Sequence, residues 1–478
     1  MSFVFVFSVA AIAQPSEPKV TGTISNVTRV ESWSFFEPRI DGLAVDADLI
    51  GNPDYTFIGD RAELGVLVEG DRFDLGGAFN YVRLENLPTH AIGPGGFGTG
   101  AFYFAATGVR YSYQLYLGEL TVRVKSRDRR QVLSFGRLVL PESRPPTPRR
   151  GFGETGSVGR LVNERLDGRL IGNFEWSLYQ RRFDGARVDV DRGRWHFTAG
   201  AFMPTQGGFE ESTNLTMTKI QVGTAAATHS TPAAESQAFA YSYRDRRRGL
   251  KAVVDNRLPD DAPADVTIAT VGGSHARVIS LPSGEADVVA WGAAQFGNWY
   301  GLPHRAGSAV VEAGHRWPRA AGRPWLRAGY AWASGDKVWN DGRHTTFFQM
   351  LPSSRKYALS SAYAHMNLRD TFAQLLIEPR RFNARIEVHR VALASGEDLW
   401  YQGSGATSSG DRFFGFSGRF ANGETSLGTV LEGTIEMPIR KHWSVNAYAG
   451  VIRGGRAVKQ MFTEKPLRLW SIENVIRF

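Results

Sequence analysis

The chain has 478 residues, among them 53 Gly, 12 Trp, 15 Tyr and 30 Phe, with no Cys and a formal net charge of +9. The missing Cys excludes disulfide frameworks, thiolate metal sites and a lipidated cysteine anchor. Beyond the N-terminus no apolar run is long enough for a membrane-spanning helix, whereas Gly- and aromatic-rich alternating sequence suits the wall and girdles of a membrane barrel.

Phe3 to Ile12 is apolar, and Ala11-Ile12-Ala13 precedes Gln14-Pro15. Residues 1–13 read as a secretory signal with a small-residue cleavage site, although the basic lead is missing. Residues 14–27 then make a short periplasmic segment, and 28–478 the barrel. Within that span, period-2 alternation predicts 18 strands. They lie at 28–36, 55–69, 72–85, 110–124, 131–140, 174–190, 195–204, 214–223, 236–246, 265–278, 286–298, 306–317, 324–335, 371–379, 382–394, 425–438, 442–454 and 467–478. The assignment at 214–223 rests on the need for an even number, which puts both termini on one side.

Short polar turns at 69–72, 126–130, 191–194, 319–323, 380–381 and 440–442 contrast with long connections at 37–54, 87–101, 141–170, 337–370 and 396–424. The expected fold class is therefore all-β: a transmembrane antiparallel β-barrel of about 18 strands, with short periplasmic turns and long extracellular loops.

Alternation also sorts residues between two faces. Ala62, Leu64, Val66 and Val68 oppose Arg61, Glu63 and Gly65. Ala186, Val188 and Val190 oppose Arg181, Arg187 and Asp189, with Arg182 and Asp184 breaking the pattern. Leu326, Ala328, Tyr330 and Trp332 oppose Arg327. Ala384, Ile386 and Val388 oppose Arg385, Glu387 and His389. Leu427, Leu431, Ile435 and Met437 oppose Glu432, Thr434 and Glu436. An Arg on the lipid face at mid-bilayer costs about 2–4 kcal/mol, so the charged sets are expected to face the lumen.

The final segment, Leu467 to Phe478, alternates Trp470, Ile472, Ile476 and Phe478 with Ser471, Glu473 and Arg477. A barrel's last strand must close against its first, so that no edge meets lipid. Trp470, Ile472, Ile476 and Phe478 are the expected barrel-assembly signal.

Charge adds a second clue. Lys supplies 9 of the 56 cations, so Arg supplies 56 − 9 = 47. Coding bias and contacts to lipopolysaccharide phosphate are one account. A guanidinium-lined pore is the other, because Arg stays charged and binds carboxylate or phosphate bidentately.

Several stretches then resemble a known family. Trp332-Ala-Ser-Gly-Asp336, Asn340-Asp341-Gly342 and Thr346-Phe347-Phe348-Gln349-Met350-Leu351-Pro352 resemble a loop of the alginate export porin family. Phe135-Gly136-Arg137, Gln180 to Val188, and Ala294 to Trp299 are similar to other segments of it. The order runs from about residue 28 to the end. The resemblance implies an 18-stranded outer-membrane barrel with an Arg-lined constriction that passes a polyuronate. It adds Arg137 to the lumen candidates Arg61, Arg187, Arg327 and Arg385, with Glu63, Asp189, Glu387 and Glu432 steadying the guanidinium heads. Leu138 and Val430 depart from the family pattern and bear on the cargo.

The expected partners are an anionic polysaccharide or oligosaccharide, outer-membrane lipid and lipopolysaccharide, and the barrel-assembly machinery. No cofactor is expected, and no nucleic acid, since no binding module is present. Gly93 to Gly98 matches a dinucleotide pattern, but Pro94 and a loop context oppose it. Asp336, Asn340 and Asp341 form a loose calcium-like loop in which Val338 fills a ligand position, so turn chemistry is expected there. A barrel lipase or protease would need His275, His315 or His389 to converge with a Ser and an acid. A closed structural barrel is the remaining alternative.

Overall fold

The computed structural model describes residues 17–39, 51–91, 99–140, 157–208, 215–247, 265–353, 362–403 and 416–478; the expected signal over 1–13 lies outside them. The wall is one 18-stranded sheet. Its first half comprises β1 (Lys19–Ser34), β2 (Asp54–Glu69), β3 (Phe73–Glu85), β4 (Ser112–Lys125), β5 (Gln131–Leu138), β6 (Phe183–Arg192), β7 (Trp195–Pro204), β8 (Ile220–Ser230) and β9 (Ala234–Asp245). Then come β10 (Val266–Leu281), β11 (Gly284–Trp299), β12 (Leu302–Arg316), β13 (Trp325–Ala333), β14 (Leu368–Ile377) and β15 (Asn383–Leu393). A separate hairpin, β16 (Leu399–Gly403) with β17 (Phe416–Phe420), precedes the last wall strands β18 (Ser426–Arg440), β19 (Trp443–Gly454) and β20 (Leu467–Arg477).

Each wall strand pairs antiparallel with its neighbour, and β15 pairs directly with β18. The sheet closes where β20 pairs with β1, from Arg477 opposite Ser25 to Arg468 opposite Ser34. Phe478 extends that seam. Its N–H donates to the Ile24 carbonyl at 2.8 Å, and the Ile24 N–H donates to the Phe478 carbonyl at 3.1 Å. The Phe478 ring stacks on His442, centroids 4.9 Å apart. Trp470 and Ile472 face outward as expected.

Every expected strand meets one of these. Three differ by more than a few residues. β1 already begins at Lys19, inside the expected periplasmic segment 14–27, because β2 extends to Glu69 and needs Lys19 opposite it. β6 begins at Phe183 rather than 174, since Phe174 and Gln180 hold positive φ and break the extended chain. β8 lies at Ile220–Ser230 rather than 214–223. Its Ala225-Ala226-Ala227 core has weak strand propensity and carries little alternation.

Eight short connections, at 70–72, 126–130, 193–194, 231–233, 282–283, 317–324, 378–382 and 441–442, share one rim with the start of β1 and the end of β20. The other rim carries the longer connections together with one two-residue turn, 300–301. The outward parity is apolar: Leu64, Leu115, Tyr330, Ile386 and Leu431 are all exposed. Leu427 is the exception in β18. It is buried, because the register shifts beside Gly428.

The lumen is occupied by the chain's own connections. Helix α1 (Thr99–Thr107) packs Tyr103 on Phe57 of β2. Helix α2 (Ser157–Leu161) continues into a π-helical turn over Val162–Leu166. Residues 168–172 then run beside 351–353: Gly172 N–H donates to Leu351 O, Leu351 N–H to Leu170 O, and Ser353 N–H to Gly168 O, at 2.7–2.8 Å. A last short helix, α3 (Arg456–Lys459), sits between β19 and β20.

Deleting Phe478 removes both seam bonds to Ile24. The expected outcome is a sharp fall in folded barrel, read as the heat-modifiable band on an unboiled denaturing gel. An unchanged band would show that the seam closes without it.

Candidate lumen site

The inward segment 157–182 carries five buried arginines: Arg160, Arg165, Arg169, Arg181 and Arg182. Arg160 reaches Glu164 one helical turn on at 2.7 Å and also Glu378 beyond β14. Arg165 Nε donates to Glu312 of β12 at 2.9 Å, its Nη1 lies 3.8 Å from Glu387 of β15, and its guanidinium covers Phe372. Arg169 approaches the other Glu312 oxygen at 3.5 Å and covers Trp291. Arg327 of β13 completes the group, 3.0 Å from Glu312 and 3.1 Å from Asp287 of β11. Three guanidiniums therefore meet at one buried carboxylate. Burying these charges is tolerable only because they are paired, and removing one partner from such a set costs about 3–5 kcal/mol.

Arg181 works differently. Its guanidinium donates four hydrogen bonds to backbone carbonyls: two to Gly172 (3.0 and 2.7 Å), one to Leu351 (2.5 Å) and one to Pro352 (2.8 Å). It thus clamps the two inward segments whose backbones run side by side. Burial lowers its pKa to about 9, which leaves it charged at neutral pH.

A second cluster lies near the seam. Arg29 of β1 bonds Glu473 of β20 at 2.6 Å and covers Trp176 at 4.0 Å. Arg61 and Glu63 of β2 share this space with Arg182, which is 3.9 Å from Glu63. Arg187 bonds Asp189 at 2.7 Å, and His196 Nε2 approaches the same carboxylate at 3.2 Å.

Of the expected lumen residues, Arg61, Glu63, Arg187, Asp189, Arg327, Arg385, Glu387 and Glu432 do face inward, but in separate clusters. Arg385 lies 3.4 Å from Glu387, and Glu432 accepts a hydrogen bond from Tyr448 at 2.9 Å. Arg137 must be corrected. It shares the parity of the exposed Leu133 and Phe135 and lies opposite the exposed Leu120, so it stands on the outer face. There it pairs bidentately with Asp184, both contacts at 2.8 Å, and Thr216 donates to the same carboxylate. Gly136 before it holds φ +115°, with the Leu120 carbonyl where a Cβ would stand. The Gly-Arg pair is thus a wall feature. The loose calcium-like loop is turn chemistry: the Asp336 carboxylate accepts Val338 and Thr345 N–H, Asp341 accepts Arg343 N–H, and Asn340 and Asp341 are exposed while Asp336 is buried.

The alginate export family model matches residues 152–469. The chain belongs to the alginate export family. No curated protein matches the sequence. Among solved structures the chain is similar to Acinetobacter baumannii OccAB1, with TM-score 0.57 and 10% identity over 96% of each chain. It is also similar to A. baumannii OccAB3, with TM-score 0.57 and 9% identity over 96% of this chain and 99% of that one. The outer membrane protein OpdK of Pseudomonas aeruginosa gives TM-score 0.54 and 8% identity, over 96% and 98%. At such identities these likenesses concern the fold alone. With the closed sheet and the family, they make this member of the alginate export family an integral outer-membrane β-barrel channel. The short-turn rim is accordingly periplasmic.

Sequence reasoning missed Arg165, Arg169 and Glu312, the centre of the site. Glu312 had a usable signal, since it shares its inward parity on β12 with His304, Ser308 and Arg316. The two arginines lie in a long connection, where periodicity is silent.

Arg181→Ala should release the pairing of 168–172 with 351–353, at a cost of about 3–5 kcal/mol for four lost bonds and the buried carbonyls left behind. Hydrogen exchange at Gly172 and Leu351 should accelerate about a hundredfold or more; unchanged protection would refute the clamp. His365 gives a pH dependence. Burial, with Arg169 nearby, pulls its pKa down to about 3, and its Nε2 meets Ser308 Oγ at 2.7 Å. A His held below its unfolded pKa of about 6.5 favours the packed state less as pH falls through that value. At pH 4.5 the penalty approaches about a hundredfold. Protection of residues 362–367 should therefore drop between pH 6.5 and 4.5 in the wild type, and stay flat in His365→Gln.

Proposed function

We propose that this channel conducts an acidic polysaccharide or oligosaccharide, captured at a basic periplasmic mouth. The observation that carries the reading is the charge of the short-turn rim. Arg127, Arg129 and Arg130 stand in one turn, Arg192 and Arg194 beside the next, and Arg319 and Arg323, Arg380 and Arg381, and Arg440 with Lys441 in three others; all are exposed. Glu17, Asp71, Asp128 and Asp191 are exposed acids on the same rim among the described residues, fewer than the cations. Lipopolysaccharide lies at the opposite rim, so contact with its phosphates does not account for these arginines. A ring of cations above a low-dielectric wall concentrates anions at the opening.

Inside, a mobile cargo carboxylate exchanges with residues such as Glu312 for the same guanidiniums. Weak, multi-site binding of this kind lets a polyanion pass without stalling. Movement of 157–182 and its partner segment opens the way. A periplasmic capture surface supports export. The reading makes the protein a passive channel, not an enzyme. His275 Nδ1 does lie 2.8 Å from Ser236 Oγ, but no carboxylate hydrogen-bonds that imidazole among the described residues.

The test is reversal potential across a planar bilayer under a salt gradient, followed by block with uronate oligomers. The wild type should prefer anions, and the preference should fade as salt shortens screening to about 8–10 Å at 0.1–0.15 M. Changing Arg127, Arg129, Arg130, Arg380 and Arg381 to Gln should reduce the preference and weaken uronate block. A cation-selective wild type would overturn the proposal.

A further inference from the structure

Glu387 and His389 lie two residues apart on β15, on its inward face, and Glu432 of β18 stands directly opposite Glu387. All three are buried, and a ligand atom from each lies within 4.8 Å of the other two. Like charges directly opposed across a strand pair repel each other. A cation held among them would relieve that repulsion.

The histidine is already oriented for that purpose. Its Nδ1 is 3.0 Å from Asp370 on β14, and its ring stacks on Phe372. With Nδ1 engaged, Nε2 is the remaining nitrogen; it is fully buried and has no hydrogen-bond partner. Metal-binding histidines are commonly held in this way by a carboxylate on the far nitrogen. Around the same spot Glu387 Oε1, Asp370 Oδ1 and the Tyr363 hydroxyl also lack hydrogen-bond partners. Buried polar atoms are nearly always satisfied, so several unsatisfied ones in one place mark a missing occupant. Tyr363 comes from the inward connection between β13 and β14 and closes the lumen side.

We propose that Glu387, His389 and Glu432 bind one divalent first-row transition cation, with Zn²⁺ as the probe. One imidazole and two carboxylates suit such an ion, whereas Ca²⁺ and Mg²⁺ prefer oxygen donors alone. Arg385 and Arg165 hold the outer edge of Glu387, at 3.4 and 3.8 Å, and leave the net charge of the three acids facing the ion. The ion joins β15 to β18 beneath the inward connection, so it stiffens the wall where the lumen is most crowded.

The experiment uses the full-length barrel in detergent, stripped with chelator and titrated with ZnCl₂ by calorimetry. The expected result is one Zn²⁺ per barrel, retained through gel filtration, with a rise in unfolding temperature. His389→Gln and, separately, Glu432→Gln should each lower affinity at least tenfold while keeping the heat-modifiable band. Excess Mg²⁺ should not compete. Binding unchanged in both variants would overturn the assignment, as would equal binding of Ca²⁺. No binding by the wild type would also overturn it and leave His389 as the counter-ion. Zinc stoichiometry is read without any current, so this outcome is independent of the selectivity test.

Discussion

Closure of the backbone is the constraint on which everything else rests. In lipid an unpaired N–H or C=O costs several kcal/mol, so a sheet can span the membrane only when it has no edge. Here β20 meets β1 over ten paired positions from Arg477 to Arg468, and Phe478 adds two more hydrogen bonds at the periplasmic end. Once the sheet is closed, each wall residue has one of two fates. It meets lipid or it meets the lumen, and strict alternation decides which.

That alternation moves charge inward. Glu312, Asp287, Arg327, Glu387 and Glu432 all sit on inward positions, where an unpaired charge would be costly. The wall alone does not balance them. Arg165 and Arg169, carried in by segment 157–182, supply the counter-charge to Glu312. The inward segment is therefore held by the same charges that the wall must neutralise. Arg181 adds a different hold, bonding carbonyls on both sides of the paired segments.

Much of the wall was legible from residue order. In β13, Leu326, Tyr330 and Trp332 against Arg327 predicted both strand and orientation, and the structure agrees because nothing in that stretch competes with period 2. Lipid-facing alanine hid β8, since Ala225 to Ala227 look alike on both faces. Arg137 shows the opposite failure. It shares the parity of Leu133 and Phe135, which face outward, whereas the family resemblance had placed it in the lumen. Asp184 and Thr216 supply the partners that an outward arginine needs, and both come from distant parts of the chain. The clusters at Glu312 and at Glu387 with His389 were half legible. Their wall members follow from parity, but Arg165, Arg169 and Tyr363 reach them from long connections whose course depends on what they meet inside.

The basic rim and the buried ion lattice place opposite demands on arginine. At the rim, exposed guanidiniums are hydrated and screened, so they concentrate anions without holding them. In the lumen the same group is desolvated and committed to carboxylates. Under the proposed function, a polyanion arriving from the rim would bring carboxylates that compete for those guanidiniums. Exchange keeps the guanidinium paired but takes a partner from the buried wall carboxylate, so it costs least at Glu312, which shares three arginines and keeps two of them. Under the proposed function, the shared lattice at Glu312 is the point that would yield to cargo of one charge sign, and neutral sugars would offer it no such exchange.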